Sequence, residues 1–204
     1  MLPCPHLNAH DKDTSMLSLP SAQTALVLID LQNGIVSLPT APYSGQTVVE
    51  RSKKLAHHFR EYGSPIFLVN VAFASDGADA LQAPVDRPLT SSDEALPSDW
   101  SELVDGLAEP TDLRITKHQW GAFFGTELDL QLRRRGITTL VIGGIATNFG
   151  VESTARAAHE HGYNVVLVED ATTSLSPEMH RFAYESIFPA LGRTTTSDTI
   201  TLTT

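Results

Sequence analysis

The stretch of residues 137–156, ITTLVIGGIATNFGVESTAR, constrains the fold of this chain more than any other. It begins as a β-branched, apolar run, breaks at a Gly-Gly pair, and becomes helical in character at Gly150. This order predicts a buried strand that delivers a tight turn to the start of a helix. The first N–H groups of a helix lack intrahelical partners, so such a junction can hold an anion or a developing oxyanion. Strand-turn-helix hydrolases commonly carry a nucleophile where the helix opens, and here that residue is glycine.

Apolar runs of strand length alternate with helical stripes along the rest of the chain. Besides the strand of the opening stretch, strands are predicted at 25–30, 66–72, 113–117 and 163–171, with an edge strand at 193–196, and helices at 48–62, 126–135, 150–161 and 176–187. This alternation predicts a three-layer α/β fold, a parallel sheet covered by helices on both faces. Residues 23–204 are expected to form one domain after a flexible tail of residues 1–22, within which Met16 is an alternative start.

Charge and composition exclude several kinds of partner. A formal net charge of -10 over 204 residues disfavours nucleic acid and anionic membranes, since phosphate-binding surfaces carry an excess of Lys and Arg. No window approaches the roughly 18 uninterrupted apolar residues of a membrane helix. The only cysteine, Cys4, lies in the predicted tail, which excludes an internal disulfide and a cysteine-cluster metal site. We therefore expect a soluble, cytoplasmic protein that acts on a small molecule.

Three features follow predicted strands at the edge where open α/β sheets bind their ligands. Asp30 ends the first strand, Lys117 ends the third, and the turn of residues 146–150 follows the fourth. Each feature has a plainer alternative, because an Asp after a strand is more often a turn or cap residue and a lone Lys is usually solvated. Together they predict that a carboxylate, an ammonium and backbone donors converge in one crevice.

Three segments resemble the motif blocks of the isochorismatase-like hydrolases, in the same order and spacing: ALVLIDLQNG (25–34), ITKHQWGAFFGTELDLQLRRRGI (115–137) and GGIATNFGVESTARAAHEHGYNVVLVEDA (143–171). The resemblance covers nearly everything from residue 24 onward. It implies a six-stranded parallel sheet in the order 3-2-1-4-5-6, in a protein that assembles as a homo-oligomer, a dimer or a tetramer. Thiol members of the family, such as nicotinamidases and N-carbamoylsarcosine amidohydrolase, use an Asp, a Lys and a Cys. Asp30 and Lys117 match the first two, whereas the cysteine position falls on Gly150.

Glycine at the nucleophile position excludes the covalent route of the thiol amidases there. Isochorismatases proper are similar to this chain in lacking that cysteine, and they hydrolyse the vinyl ether of isochorismate to pyruvate and a dihydroxy-dihydrobenzoate. The resemblance implies that Asp30 is the general acid and that Lys117 orients Asp30 or a substrate carboxylate. A general acid requires a raised pKa, whereas the adjacent ammonium lowers the pKa of a carboxyl, and the sequence leaves that opposition open. The resemblance also implies that the N–H groups of Ala146 and Gly150 bind an oxyanion and that the Ile145–Ala146 bond is cis.

Four further residues are candidates for contact with a substrate. Trp120 and Phe123 follow the third strand and would wall an apolar pocket, while Gln32 and Asn148 would orient a polar group. The alternative in each case is structural, namely core packing for the aromatic rings and turn hydrogen bonds for the amides.

Metal binding and the long middle connection can also be judged from the sequence. Nicotinamidases of the family bind a divalent ion through an Asp-x-His element and a further His, but residues 43–72 contain no Asp-x-His. No metal and no cofactor is therefore predicted.

Residues 73–111 are too long for an ordinary connection, which indicates a functional cover or an oligomer contact.

The favoured hypothesis is a cysteine-less hydrolase of a small anionic or carbonyl-containing metabolite, with isochorismate as one candidate. The second is a non-catalytic binding or assembly protein on the same scaffold. Retention of both Asp30 and Lys117 disfavours it, because a buried Asp–Lys pair has little use without chemistry. A thiol amidase is the third hypothesis, and it requires Cys4 to reach the site.

Overall fold

A six-stranded parallel sheet forms the centre of the protein, seen in a computed structural model that describes residues 16–87 and 96–204. The strands of the described chain are β1 Leu17–Pro20, β2 Thr24–Ile29, β3 Ile66–Val71, β4 Leu113–Lys117, β5 Thr139–Ile145, β6 Asn164–Thr173, β7 Arg193–Thr195 and β8 Ile200–Thr203. The central sheet has the order β4-β3-β2-β5-β6-β7, and all its neighbouring strands are parallel. Since β2 is the first strand of the predicted set, the predicted order 3-2-1-4-5-6 and the α/β class are confirmed. The order reverses between β2 and β5, and the edge beyond the carboxyl ends of such strands is where open α/β sheets bind their ligands.

Helices connect the strands of the central sheet, and two of them begin at a serine cap. They are α1 Asn33–Val36, α2 Gly45–Glu61, α3 Leu128–Arg134, α4 Glu152–Glu160, α5 Pro177–Phe182 and α6 Phe188–Leu191, with π-helical turns at Thr147–Val151 and Ala183–Ile187 and 3₁₀ turns at Ser21–Gln23 and Ser197–Thr199. The hydroxyls of Ser44 and Ser176 accept from backbone N–H groups and cap α2 and α5. None of the helices in the described part of the chain has the length and apolar character needed to cross a membrane.

The central strands are buried on both faces, which produces two separate apolar cores. In β2, Val27 and Ile29 belong to the core shared with α3 and α4. Leu26 and Leu28 belong to the core shared with Phe59 and the rest of the apolar face of α2. Successive side chains of a strand point to opposite faces, so a fully apolar strand requires helices on both sides. The result is the predicted three-layer arrangement.

A two-stranded sheet joins the two ends of the described chain. Strand β1 pairs in parallel with β8, with Leu17 opposite Ile200. Leu17 and Leu19 are 4% and 8% exposed and pack into the core that α2 covers. The predicted tail of residues 1–22 is therefore too long, because alternate leucines bury its last residues as a strand. The earlier part of that tail, with Cys4, lies outside the described residues.

The later part of the predicted cover, residues 96–111, folds back over α1. The N–H of Gly34 donates to the backbone oxygen of Trp100 at 3.0 Å. A side chain at Gly34 would have to displace the Trp100 indole, because a Cβ there would lie 1.9 Å from it. Trp100 also stacks on Phe73, with ring centroids 6.3 Å apart. This placement supports a covering role, while residues 88–95 of the cover lie outside the described part of the chain.

Candidate active site

Asp30 and Lys117 form an almost completely buried ion pair at the carboxyl edge of the sheet. Lys117 Nζ donates to Asp30 Oδ2 at 2.8 Å and to the backbone oxygen of Gln119 at 3.0 Å. Asp30 follows β2 and Lys117 ends β4, so the ammonium reaches across the end of β3, which lies between them. Asp30 is 6% exposed and Lys117 is 1% exposed. The two residues predicted to converge at this edge therefore do so.

The backbone of Asp30 has an unusual conformation. Its φ is 53°, the only positive φ of a non-glycine residue among those described. Asp and Asn tolerate the left-handed region better than other side chains, and such strained residues cluster at functional sites. The Asp30 N–H donates to the backbone oxygen of Val69 at 2.8 Å, which holds this conformation against β3.

Burial and the neighbouring ammonium act on the Asp30 carboxyl in opposite directions. Desolvation raises its pKa, while the charge and the hydrogen bond of Lys117 lower it, and the net result is a rise from 3.8 to about 6. Desolvation therefore has a larger effect on the pKa of Asp30 than the Lys117 ammonium, a comparison that the sequence alone left open. About a tenth of such carboxyls carry a proton at pH 7. Oδ1 of Asp30 is buried and makes no hydrogen bond with any described atom, so the proton can reside there.

Glycines bring the start of the helix onto the Asp30 carboxyl. A Cβ on Gly150 would lie 3.1 Å from Asp30 Oδ2 and 3.1 Å from Ile29 Cγ2. Gly144 has a φ of 119°, and a Cβ there would lie 2.1 Å from the backbone oxygen of Ile29. Only glycine allows β5 and β2 to approach this closely. The turn is thus packed against the carboxyl as tightly as its glycines permit.

The turn between β5 and α4 opens with a cis peptide bond between Ile145 and Ala146, as predicted. The backbone oxygen of Ala146 accepts from the Phe149 N–H at 3.1 Å. Because Thr147–Val151 forms a π-helical turn that continues into α4, Ala146 and Gly150 both lie at the positive end of the helix dipole. Their role as oxyanion donors stays a prediction.

Gln32 makes hydrogen bonds that hold the fold together, which favours the structural alternative, while its predicted contact with a substrate stays a prediction. The residue is 0% exposed. Its Oε1 accepts from the Val71 N–H at 2.8 Å, and its Nε2 donates to the backbone oxygens of Val71 and Trp100, both at 3.0 Å. Both amide hydrogens are therefore used. Gln32 clamps the cover to the end of β3.

The two predicted aromatic residues separate into a core residue and a rim residue. Phe123 is 7% exposed and stacks on His161 with ring centroids 5.1 Å apart, which places it in the core and favours the structural alternative, while its predicted contact with a substrate stays a prediction. Trp120 is 51% exposed and meets Phe149 edge-on at 5.0 Å. Its backbone oxygen lies 3.3 Å from the Cβ position of Gly150. Trp120 therefore stands beside the site, where its predicted contact with a substrate stays a prediction.

Side chains of the turn also connect to β6 and α5. The Oδ1 of Asn148 accepts from the Ser174 hydroxyl, and its predicted role in orienting a substrate stays a prediction. Thr147 Oγ1 lies 2.9 Å from His180 Nδ1, and His180 Nε2 lies 3.2 Å from Glu169 Oε1. Sequence reasoning missed Thr147, His180 and Glu169, since no motif or spacing relates them. The one available signal was the pair of carboxylates, Glu169 and Asp170, that follows the apolar part of β6.

Within residues 16–87 and 96–204, no group of three or more His, Cys, Asp or Glu side chains is arranged to hold a metal ion. His118, which follows Lys117 in the chain, lies 2.6 Å from the backbone oxygen of Ala72 and 3.3 Å from Asp79 Oδ2 through the same ring nitrogen. The absence of a metal and of a cofactor stays a prediction.

The strand order and the buried Asp30–Lys117 pair beside a helix start place the chain among three-layer α/β proteins with a carboxyl–ammonium pair at the ligand-binding edge of the sheet. The chain belongs to the isochorismatase family, because the family model of the isochorismatase domain matches residues 24–199. The resemblance of the three motif blocks is thereby confirmed.

Relatives and solved structures support the same family. The isochorismatase family protein YecD of Escherichia coli O157:H7 is 49% identical over 179 residues, which cover 87% of this chain and 94% of YecD. The ureidoacrylate amidohydrolase RutB of Methylobacterium radiotolerans is 32% identical over 194 residues, which cover 84% of this chain and 75% of RutB. The structure of an isochorismatase family protein from Burkholderia thailandensis superposes with a TM-score of 0.86 at 49% identity, covering 91% of this chain and 97% of that one.

Proposed function

We propose that this chain hydrolyses a small metabolite by proton transfer from Asp30, without a covalent intermediate, and that the vinyl ether of isochorismate is the first substrate to test. The supporting observation is the Asp30 carboxyl itself. Its pKa is raised to about 6, its Oδ1 is buried without a described partner, and the residue facing it is Gly150. A proton donor is thus present where a thiol nucleophile is absent.

The proposed reaction begins with transfer of the Asp30 proton to the terminal carbon of the enol ether. The electron pair of the C=C bond forms the new C–H bond, which leaves an oxocarbenium ion at the ether carbon. Water adds to this carbon, and the Asp30 carboxylate takes the proton that the water loses. The hemiketal then transfers its hydroxyl proton to the departing ether oxygen as the C–O bond breaks, which yields pyruvate and an alcohol. Lys117 holds Oδ2 throughout and stabilises the carboxylate after proton transfer.

Hydrolysis of an amide or ureido group by water is a second candidate, favoured by the relative named as a ureidoacrylate amidohydrolase. In this reaction the Asp30 carboxylate is the base that activates the water, and the helix start binds the oxyanion. The two candidates differ in pH dependence. An acid-led reaction slows as the pH rises through the Asp30 pKa of about 6, whereas a base-led reaction accelerates.

The test is to incubate purified protein with isochorismate while pyruvate is measured, followed by a panel of other vinyl ethers, esters and amides. We expect Asp30→Asn to lower kcat at least about 100-fold, because a general acid or base contributes about that much. Asp129→Asn is the matched control, since Asp129 lies on α3 in an exposed pair with Arg133. Full turnover by Asp30→Asn refutes the mechanism. No turnover by wild-type protein across the panel overturns the proposal and leaves the non-catalytic binding protein.

A further inference from the structure

A second buried polar network reaches the catalytic turn from β6 and α5. His180 is 4% exposed and Thr147 is 0% exposed. The ring of His180 lies between the Thr147 hydroxyl and the Glu169 carboxylate. Its Nδ1 is 2.9 Å from Thr147 Oγ1, and its Nε2 is 3.2 Å from Glu169 Oε1. The hydroxyl of Tyr43 donates to the same carboxylate oxygen at 3.3 Å. These hydrogen bonds link the loop before α2 to β6, to α5 and to the turn after β5.

Glu169 determines which nitrogen of His180 carries the proton. A carboxylate only accepts hydrogen bonds, so the nitrogen that faces it, Nε2, carries the hydrogen. In the neutral ring Nδ1 is then an acceptor, and the Thr147 hydroxyl donates to it. Each of the hydrogen bonds from Thr147 through His180 to Glu169 therefore has one direction of donation, which fixes the orientation of the Thr147 side chain.

Stability alone does not account for this network. Buried hydrogen bonds roughly offset the cost of desolvating their groups, and apolar replacements of the same shape are often neutral or stabilising. Buried residues of both kinds surround it, since Ala171 of β6 and Ala183, which follows α5, are 0% exposed, and so are Thr172 and Thr173 of β6. A buried polar chain of this kind can specify a geometry.

We propose that His180 is a positioning residue, which through Thr147 holds the turn of residues 146–150 in register with the Asp30 carboxyl; this inference rests on the proposed function. Thr147 lies between Ala146 and Gly150, the two predicted oxyanion donors. The Cβ position of Gly150 is 3.1 Å from Asp30 Oδ2, so a small displacement of the turn changes the geometry at the reacting group. Displacements of about 1 Å can slow an enzyme about 100-fold.

Conservative variants separate positioning from packing. Asn at position 180 places an acceptor near the Nδ1 position and preserves the Thr147 bond, whereas Gln places its amide near Nε2 and preserves only the Glu169 bond. We expect His180→Gln and Thr147→Val to lower kcat about 100-fold with KM within about twofold, while His180→Asn and Thr147→Ser keep most of kcat. His57→Asn is the matched control, because the His57 side chain is 71% exposed on α2. Equal kcat values for His180→Asn and His180→Gln, or an effect on KM alone, overturn the proposal.

Two measurements remain decisive if the wild type turns over none of the substrates, and the second does not need a folded Thr147→Val. Hydrogen exchange of peptides covering residues 145–151 should be about tenfold faster in Thr147→Val than in Thr147→Ser, with β2 peptides unchanged. In wild-type protein, ¹⁵N NMR should show one imidazole as the neutral Nε2–H tautomer, identified by its loss in His180→Asn. An Nδ1–H tautomer, or equal exchange in both Thr147 variants, refutes the positioning role independently of any substrate.

Discussion

Replacing Asp30 by Asn should alter the pH dependence of folding stability and thereby measure the buried carboxyl directly. The pKa of Asp30 in the folded chain, about 6, lies above its ordinary value of 3.8, so the folded state binds the proton more tightly than the unfolded state. The resulting stabilisation is fully present below about pH 4 and is lost as the pH rises through about 6. In full it amounts to about 3 kcal/mol. About 1.4 kcal/mol of it is lost between about pH 5 and about pH 8.

Urea unfolding of wild-type protein and Asp30→Asn at several values across that range is the assay. Asn does not titrate, so the pH dependence of the difference in unfolding free energy reports the Asp30 carboxyl and the pair that it forms with Lys117. We expect Asp30→Asn to gain about 1.4 kcal/mol relative to wild type from about pH 5 to about pH 8. A constant difference, or a relative loss for the variant, would show that Lys117 keeps the carboxylate ionised. Asp30 would then be excluded as a general acid near neutral pH.

Two further changes test packing around the site. Gly150→Ala places a methyl group 3.1 Å from Asp30 Oδ2, so calorimetry should show a loss of about 1–2 kcal/mol and turnover should slow. Gly121→Ala, whose Cβ has no neighbour closer than 3.6 Å, is the control, and equal effects of the two changes would contradict this reasoning. Gly34→Ala should displace the Trp100 indole, which lies 1.9 Å from the new Cβ, so ¹⁹F NMR of fluorotryptophan-labelled protein should show a shifted Trp100 signal. An unchanged spectrum would mean that the cover does not rest on α1.

The central sheet and the meeting of Asp30 with Lys117 followed from local sequence. The run before Asp30 is apolar at every position, so it had to be a strand buried on both faces, and parallel strands bring their carboxyl ends to one edge. The direction in which the pKa of Asp30 shifts did not follow from sequence. Desolvation and the ammonium have opposite signs, and their relative size depends on burial, which only the folded chain shows.

Other parts of the site depend on contacts that no local pattern encodes. Trp120 and Phe123 lie three positions apart in an irregular segment, where neither a helical nor a strand period indicates which ring faces the core. Gln32 met the expected pattern of a polar residue close to a predicted catalytic one, Asp30, yet its partners come from β3 and the cover. The bond between Thr147 and His180 joins residues 33 positions apart on different elements. Local sequence predicts where chains turn, whereas tertiary contacts decide which polar groups stay available.

Because β1 pairs with β8, the first and last strands of the described chain lie side by side, and this has a consequence for synthesis of the chain. Leu17 can meet Ile200 only after every strand of the central sheet has left the ribosome. Contacts of such separation also form slowly, because the entropy of closing the loop is lost before the contact forms. Until then β1 is an unpaired strand with alternate leucines, and such an edge can pair with another chain. A nascent chain stalled before Ile200 would therefore expose an aggregation-prone edge at its N-terminal end.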